Sequence, residues 1–259
     1  MNAPASSSVV SSAVAEFALR KGDNCLILGH RNSEWCGHAP ALEEDIALAN
    51  TALDLIGQTQ LWLGLACEAE GKGRTPDEVA FLRDVSGYRN LLLVEQPNGD
   101  FGRTLMRQYL FDAWHLPLLK ALMGSADRRI VEIAEKASKE VAYHLERSAD
   151  LVVRLGDGTA ESHARMQAAV DFLWPYTGEM FLADALDEEL AAAGLAPEPG
   201  SLKAAWQEHV TRTFAEATLK APEKSFAQKG GRRGVHSEHL GYILAEMQFL
   251  QRAYPGANW

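Results

Sequence analysis

Histidine and carboxylate side chains one helical turn apart are the residues of this sequence whose spacing could bind a metal. Residues three or four positions apart share a helical face, so a carboxylate and an imidazole at that spacing can point at the same ion. Among the eight histidines, only His115 has an acidic residue three positions before it, Asp112. A carboxylate-bridged di-iron site in a four-helix bundle needs two such motifs and two further carboxylates. The sequence therefore supports half of such a site.

The second carboxylate–histidine motif that a di-iron site needs is missing where it is expected. His144 has Glu140 four residues before it, and Asp171 is followed by Trp174 where a histidine is needed. An indole cannot ligate iron, and its bulk fills space that a metal site requires. We therefore expect Glu140 and His144 to interact with each other as an i, i+4 pair, as on many non-catalytic helices.

The remaining candidates also have interpretations that involve no metal. Asp112 and His115 are predicted to form a buried, hydrogen-bonded pair. Asp54 lies in a polar stripe with Asn50 and Gln58, which predicts a polar contact between helices or a solvated edge. Iron ligation by a non-standard set stays open as the alternative, and its candidate ligands are Asp54, Asp112, His115, Glu140 and His144.

The elements that must position these residues are helices, because hydrophobic residues recur with a period near 3.6 in almost every long segment. The predicted fold is all-α: a long four-helix bundle with additional N- and C-terminal helices. Residues 1–8 are predicted to be a disordered leader and 9–259 a single domain, whose core comes from two helical hairpins, 41–123 and 127–193. Predicted helices span 9–20, 40–70, 78–95, 101–123, 127–155, 159–193 (interrupted near Pro175), 201–221 and 237–254, with 24–31 as extended linker.

Two local features qualify this outline. The helix from Pro40 is predicted to bury an apolar stripe. The stripe comprises Leu42, Ile46, Ala49, Leu53 and Ile56.

Glycine and charged residues predict a flexible loop at 222–234. Within 220–233 there are five positively charged residues and one Glu. That basic loop is either solvated or a contact for an anionic group.

Composition excludes several classes of function. The 259 residues carry 25 Lys and Arg against 35 Asp and Glu, a net charge of −10, which repels nucleic acid and anionic membranes. No apolar run approaches the roughly 20 residues that span a bilayer. The three cysteines show no C-x-x-C spacing, so we expect small buried thiols in a reducing, cytoplasmic protein. Nucleophile-elbow, P-loop and dinucleotide motifs are absent from the sequence.

Several blocks together resemble one family, the PaaC-type C subunits of bacterial 1,2-phenylacetyl-CoA epoxidase, an enzyme also called phenylacetate-CoA oxygenase. The resemblance runs from about residue 20 to residue 259 and rests on unusual strings. They are EWCGHAP (34–40), LEEDIALANTALDLIGQ (42–58), EQPNGDF (95–101), RQYLFDAW (107–114), KEVAYHLERS (139–148), RLGDGT (154–159), LWPYTGEMF (173–181) and the segment 234–259.

The resemblance implies a ferritin-like subunit of a multicomponent monooxygenase in aerobic phenylacetate degradation. In that family a homologous A subunit holds the di-iron cofactor and the substrate, a reductase delivers electrons, and the C subunit is a structural partner. The expectation is therefore a chain without catalytic residues or a cofactor of its own, partnered by the A subunit, the other oxygenase components and the reductase. The acidic exterior agrees, because the phosphates of coenzyme A favour Lys and Arg. Self-association of the isolated chain stays open.

Overall fold

The computed structural model describes the backbone of residues 4–257 and the side chains of residues 11–257. Within that range every regular element is a helix, which confirms the predicted all-α class. None of the helices in the described range is long and apolar enough to cross a membrane. The α-helices are α1 (Pro4–Ser33), α2 (Leu42–Glu70), α3 (Pro76–Phe81), α4 (Phe101–Leu122), α5 (Arg128–Gly156), α6 (Ala160–Leu173), α7 (Ala185–Ala192), α8 (Lys203–Glu216), α9 (Glu238–Met247) and α10 (Phe249–Ala253).

The first long helix differs most from its prediction. Residues 24–31, expected as an extended linker, continue α1, which also includes residues 4–8 of the predicted leader; residues 1–3 lie outside the described residues. The helical period is hidden because every residue from 22 to 29 is buried. An uninterrupted apolar run does not distinguish a strand from a buried helix.

Glycines let α1 and α2 pack closely as an antiparallel pair. A Cβ added at Gly22 would lie 2.6 Å from Cδ2 of Leu63, and one at Gly29 would lie 3.3 Å from Cβ of Leu55. The contacts move backward along α2 as they move forward along α1, so the helices run in opposite directions. The bundle therefore contains α1 and α2 as one pair and α4 and α5 as the other, instead of the hairpins 41–123 and 127–193.

The face that α2 presents to the core is not the predicted stripe. Leu42, Ile46 and Leu53 are 71%, 52% and 69% exposed, and Ala49 and Ile56 are half-buried. The helix carries a second set of apolar residues at helical spacing, and this set packs against α1. Its members are Leu48, Ala52, Leu55 and Trp62.

Residues 78–95 form much less helix than their pattern predicts. The sequence offers Asp77 as a cap for this helix, but Thr75 caps it, and the helix ends at Phe81. After a 3-10 turn at Val85–Gly87, the chain is irregular up to α4. Side chains from distant helices bind the backbone of this segment: the N–H of Leu91 donates to Asn24 Oδ1 (2.7 Å), and that of Leu92 donates to Glu179 Oε2 (3.0 Å). Those tertiary bonds take the place of helical ones.

The two central helices match their predictions. Helix α4 begins after Asp100, which accepts a hydrogen bond from the N–H of Arg103, and it contains Pro117. Helix α5 begins after Asp127 and ends at Gly156, against a predicted span of 127–155. The residues predicted from the sequence to face the core are Ile130, Ala134, Ala137, Val141, Leu145, Val152 and Leu155. All of them except Leu155, which is half-buried, are buried.

The second half of the chain is more broken than predicted. The span 159–193 divides into α6, 3-10 turns at Trp174–Tyr176 and Gly178–Phe181, and α7. The span 201–221 begins inside a 3-10 turn at Pro199–Leu202 and contains α8, and the span 237–254 contains α9 and α10. Of the three cysteines, Cys25 is buried but Cys36 is exposed, contrary to the expectation of three buried thiols.

Two buried carboxylates hold the C-terminal segment, including the loop predicted to be flexible. Glu179 Oε1 accepts the N–H of Gly230 (2.8 Å), and Gly231 is buried. Glu95 accepts the N–H of Ser237 (2.6 Å) and bonds Nδ1 of His236 (2.8 Å). Backbone hydrogen bonding thus fixes residues 230–237, and the flexibility predicted for 222–234 is wrong for this part.

Candidate functional site

The predicted metal-ligand candidates line the interface between the two helix pairs. Asp112 and His115 are buried on α4, and His144 is buried on α5. Glu140 on α5 and Asp54 on α2 are half-buried. The helical spacing thus brings all five to the interior or its edge, as the sequence indicated.

Asp112 ends a chain of amide hydrogen bonds that links α1 to α4. Its Oδ1 accepts from Gln108 Nε2 (2.8 Å), and Gln108 Oε1 accepts from Asn32 Nδ2 (2.7 Å). Burial raises the pKa of Asp112 well above its usual range, although the bond from Gln108 opposes the shift. At a pH near the usual pKa of an aspartate, the Asp112 carboxyl is therefore still protonated and neutral. The other oxygen, Oδ2, is buried without a protein partner.

His115 does not pair with Asp112. Its ring lies among aromatic rings, with centroids 4.9 Å from Phe111 and 6.1 Å from Trp114, and its buried Nδ1 has no hydrogen-bond partner. Burial, with Lys21 and His144 as like charges, lowers the pKa of His115 to about 3. The predicted hydrogen-bonded pair is wrong because Asp112 bonds along its helix to Gln108 and the imidazole packs on apolar rings.

Glu140 and His144 bond across to α2 and not to each other. His144 Nε2 lies 2.9 Å from Asp54 Oδ2, and Glu140 Oε2 accepts from Gln58 Nε2 (2.9 Å). The prediction of an i, i+4 contact is therefore wrong, and the interpretation of Asp54 as a polar contact between helices is confirmed. Both pairs connect the two halves of the bundle.

Burial also controls the charge of these two α5 residues. It lowers the pKa of His144, against the opposing effect of Asp54. It raises the pKa of Glu140, although the bond from Gln58 opposes the shift. Each displacement favours the uncharged form. The interior is thus a set of hydrogen-bonded groups with suppressed charge.

Trp174 lies away from this interior. Its ring packs against Trp206, with centroids 5.5 Å apart, and against Phe214 at 6.0 Å. Asp171 is exposed and accepts from Gln167 Nε2 (2.9 Å). Trp174 therefore contributes to the contact between the 3-10 turn after α6 and α8, and Asp171 lies at the surface.

The arrangement does not fit a di-iron centre. Such a centre needs ionised carboxylates that bridge two ions, with histidines from two helices. Here burial disfavours the ionised form of Asp112, His115 packs on aromatic rings, and Glu140 and Asp54 are engaged by Gln58 and His144. None of the five candidates belongs to a group of three ligand atoms within 4.8 Å among the described residues.

A second candidate site is the outer face of α2. Leu42, Ile46 and Leu53 recur at near-heptad spacing and are more than half exposed. Tyr143 on α5 is 61% exposed and precedes His144, which bonds to Asp54 beside Leu53. We call these four residues the α2 face. Exposed apolar residues in a row are typical of a protein–protein contact. Sequence periodicity found three of them but assigned them to the core.

Comparison with known proteins adds independent information. The sequence matches the family PaaA_PaaC, described as phenylacetic acid catabolic protein, over residues 2–259. A curated relative from Escherichia coli (strain K12) is 50% identical over 243 residues, which cover 94% of this chain and 98% of the relative. That relative is the C subunit of 1,2-phenylacetyl-CoA epoxidase.

Proposed function

Because the chain belongs to the phenylacetic acid catabolic protein family, we propose that it is the structural C subunit of a multicomponent phenylacetyl-CoA epoxidase. In this proposal a homologous A subunit holds the di-iron cofactor, which supplies the oxygen chemistry. The present chain supports that subunit and carries no catalytic group. The similarity to the C subunit from Escherichia coli supports the assignment to this enzyme.

The observation that carries the non-catalytic role is the use of the interior side chains as contacts between helices. Glu140 binds Gln58, His144 binds Asp54, and Asp112 binds Gln108. A carboxylate that ligates iron has to be ionised and oriented toward the ion. Each of these three groups instead has one hydrogen bond to an amide or a carboxylate, and burial favours the uncharged forms of Asp112 and Glu140.

The α2 face is the proposed contact with the A subunit. Three of its four residues lie on the outside of α2, whose opposite side packs on α1, and Tyr143 is exposed on α5. Burying this face would stabilise the complex by removing apolar surface from water. Cross-helix bonds behind it, Asp54 with His144 and the Arg147–Glu44 ion pair, hold α2 and α5 in a fixed orientation.

Co-expression with the A subunit tests both parts of the proposal. We expect a stable complex in which iron depends on the A subunit, and an isolated chain without stoichiometric iron. Leu53→Asp should abolish co-purification because it places a charge in the centre of the face. Leu82→Asp is the matched control, since Leu82 is also more than half exposed but lies at the end of α3.

The alternative is an iron-binding oxygenase subunit with its own non-standard site. Three unpartnered buried atoms favour it: Asp112 Oδ2, His115 Nδ1 and His144 Nδ1. One or more irons per isolated chain, lost in Asp112→Asn, would establish this alternative and refute the structural role. Retention of the A subunit by Leu53→Asp would instead refute only the proposed contact.

A further inference from the structure

A cluster of metal-ligating atoms lies outside the bundle interior, where α1 meets the C-terminal helices. It consists of His30 on α1, Glu34 directly after α1, and Glu246 on α9. One ligand atom from each lies within 4.8 Å of the other two, and this is the group of three with that property among the described residues. None of the three belongs to the ligand candidates in the interior.

Two of the ligands already have the separation that a tetrahedral metal requires. His30 Nε2 lies 3.4 Å from Glu34 Oε1. Zinc bonds of about 2.0–2.2 Å to nitrogen and oxygen place two tetrahedral ligand atoms about 3.4 Å apart. The i, i+4 spacing sets this geometry, because it places both side chains on one face of the helical turn.

Neighbouring residues orient the carboxylate so that one oxygen remains for a ligand. Glu34 Oε2 accepts from Arg31 Nη1 (2.9 Å) and from Asn98 Nδ2 (3.0 Å). Oε1 therefore points toward His30, whose Nε2 is buried and has no hydrogen-bond partner. Bonds of this kind to the outer atoms of a ligand are typical of metal sites, where they fix its orientation.

Glu246 completes the set from another element. It is exposed on α9, so rotation of its side chain can close the remaining distance without movement of the backbone. A neutral imidazole and two carboxylates balance the charge of a divalent ion. Three protein ligands with a fourth position for water is a common arrangement for zinc.

We propose that His30, Glu34 and Glu246 form a zinc site that fastens α9 to the end of α1. The site is independent of the iron chemistry assigned to the A subunit. It would stabilise the position of the C-terminal helices, because an ion that binds only the folded chain shifts the equilibrium toward it.

Zinc titration of the metal-free full chain by calorimetry tests the proposal. We expect one zinc ion per chain, with affinity at least about tenfold lower in Glu246→Gln and His30→Gln, and cobalt in place of zinc should give the visible absorption of a four-coordinate site. The control is Glu238→Gln, which removes another exposed glutamate from α9 and should leave affinity unchanged.

Thermal unfolding with zinc chloride gives a second measurement. The midpoint should rise with zinc in the wild type and in Glu238→Gln, but not in Glu246→Gln, which alters an exposed side chain and should fold normally. Absence of binding at about 100 μM zinc, a level that corresponds to about −5.5 kcal/mol, would overturn the proposal. Equal binding by the wild type and Glu246→Gln would place the metal elsewhere and overturn it as well.

Discussion

Two buried carboxyl groups in this protein have different hydrogen-bond partners. Asp112 accepts from a side-chain amide, and burial shifts it toward its neutral form. Glu95, equally buried, accepts from the backbone N–H of Ser237 and bonds the imidazole of His236. The number and charge of the donors around a carboxyl group decide which form the fold favours.

Asp112→Asn should therefore become more stable than the wild type as the pH rises. A carboxyl whose pKa is raised by folding contributes stability at low pH and loses it as the pH rises above its unfolded value, near 3.9. Asn removes this loss and can still accept the bond from Gln108. The advantage of the variant should grow by about 1.4 kcal/mol per pH unit until the folded pKa is reached. Urea unfolding from pH 5 to 8 measures it, and a constant difference would contradict the raised pKa.

The contribution of His236 to stability should depend on pH, and a second variant can isolate it. Burial alone would lower its pKa, but Glu95 and the carbonyl of Tyr88, 3.0 Å from Nε2, raise it above the usual value. The stabilisation from protonated His236 is present below about pH 6.5 and is lost as the pH rises through the folded pKa.

We expect His236→Gln to destabilise the protein by about 3–5 kcal/mol at pH 6, as for one partner removed from a buried ion pair. The loss should be smaller at pH 9, because the stabilisation from the protonated imidazole is lost as the pH rises through its raised folded pKa. Urea unfolding at both pH values checks this, with His239→Gln as a control in the next helix. An equal loss at pH 6 and pH 9 would show that His236 contributes no charge.

The loop that contains Gly231 shows how an irregular element is fixed by close packing. A Cβ at this position would lie 2.1 Å from the carbonyl oxygen of Asn90. Gly64 on α2 has no atom within 4 Å of the corresponding point. Two identical substitutions therefore have opposite expected effects.

Gly231→Ala should destabilise the chain by about 1–3 kcal/mol through overpacking, because the obstructing atom belongs to the backbone. Gly64→Ala should stabilise it by up to about 1 kcal/mol through helix propensity. Thermal and urea unfolding distinguish the two. Tolerance of alanine at 231 would mean that the loop is as mobile as its composition suggests.

Sequence periodicity predicts elements well where one face is apolar and the other polar. Helix α5 satisfies that condition, and its span and buried side follow from the sequence. Helix α2 has apolar residues on two faces, so its span is correct but its inward face is reversed. Residues 22–29 are buried throughout, and 88–95 is held by side chains from distant helices, so neither segment carries a local signal of its structure.

The candidate site follows the same division. Spacing places Asp112 and His115 on one helix and at the interior, which the structure confirms. It cannot show that His144 bonds to Asp54, because that contact joins residues 90 positions apart. The partners of the interior groups depend on the packing of α2 against α5, and local sequence does not encode that arrangement.

The molecule as a whole combines a net charge of −10 with one apolar face on α2. Charge of one sign opposes non-specific association, so a partner has to match the apolar face in shape. The proposed zinc site lies on α1 and α9 and shares no residue with the α2 face. Docking and metal binding should consequently be separable.

Addition of the A subunit should raise the unfolding temperature of this chain. A partner present at 100 times its dissociation constant stabilises the folded state by about 2.7 kcal/mol. Calorimetry of the mixture should show the shift for the wild type and Leu82→Asp but not for Leu53→Asp. A shift that survives Leu53→Asp would assign the contact to another surface.

The contacts of Glu95 and Glu179 with residues 230–237 have a consequence for biosynthesis. The imidazole that meets Glu95 follows it by 141 positions, and the amide that meets Glu179 follows by 51. While the ribosome is still translating the intervening codons, both acids must remain hydrated, and the earlier helices cannot seal around them. Final closure of the core thus waits for residues 230–237 to emerge, and a premature stop codon before them would leave both acids without their C-terminal partners.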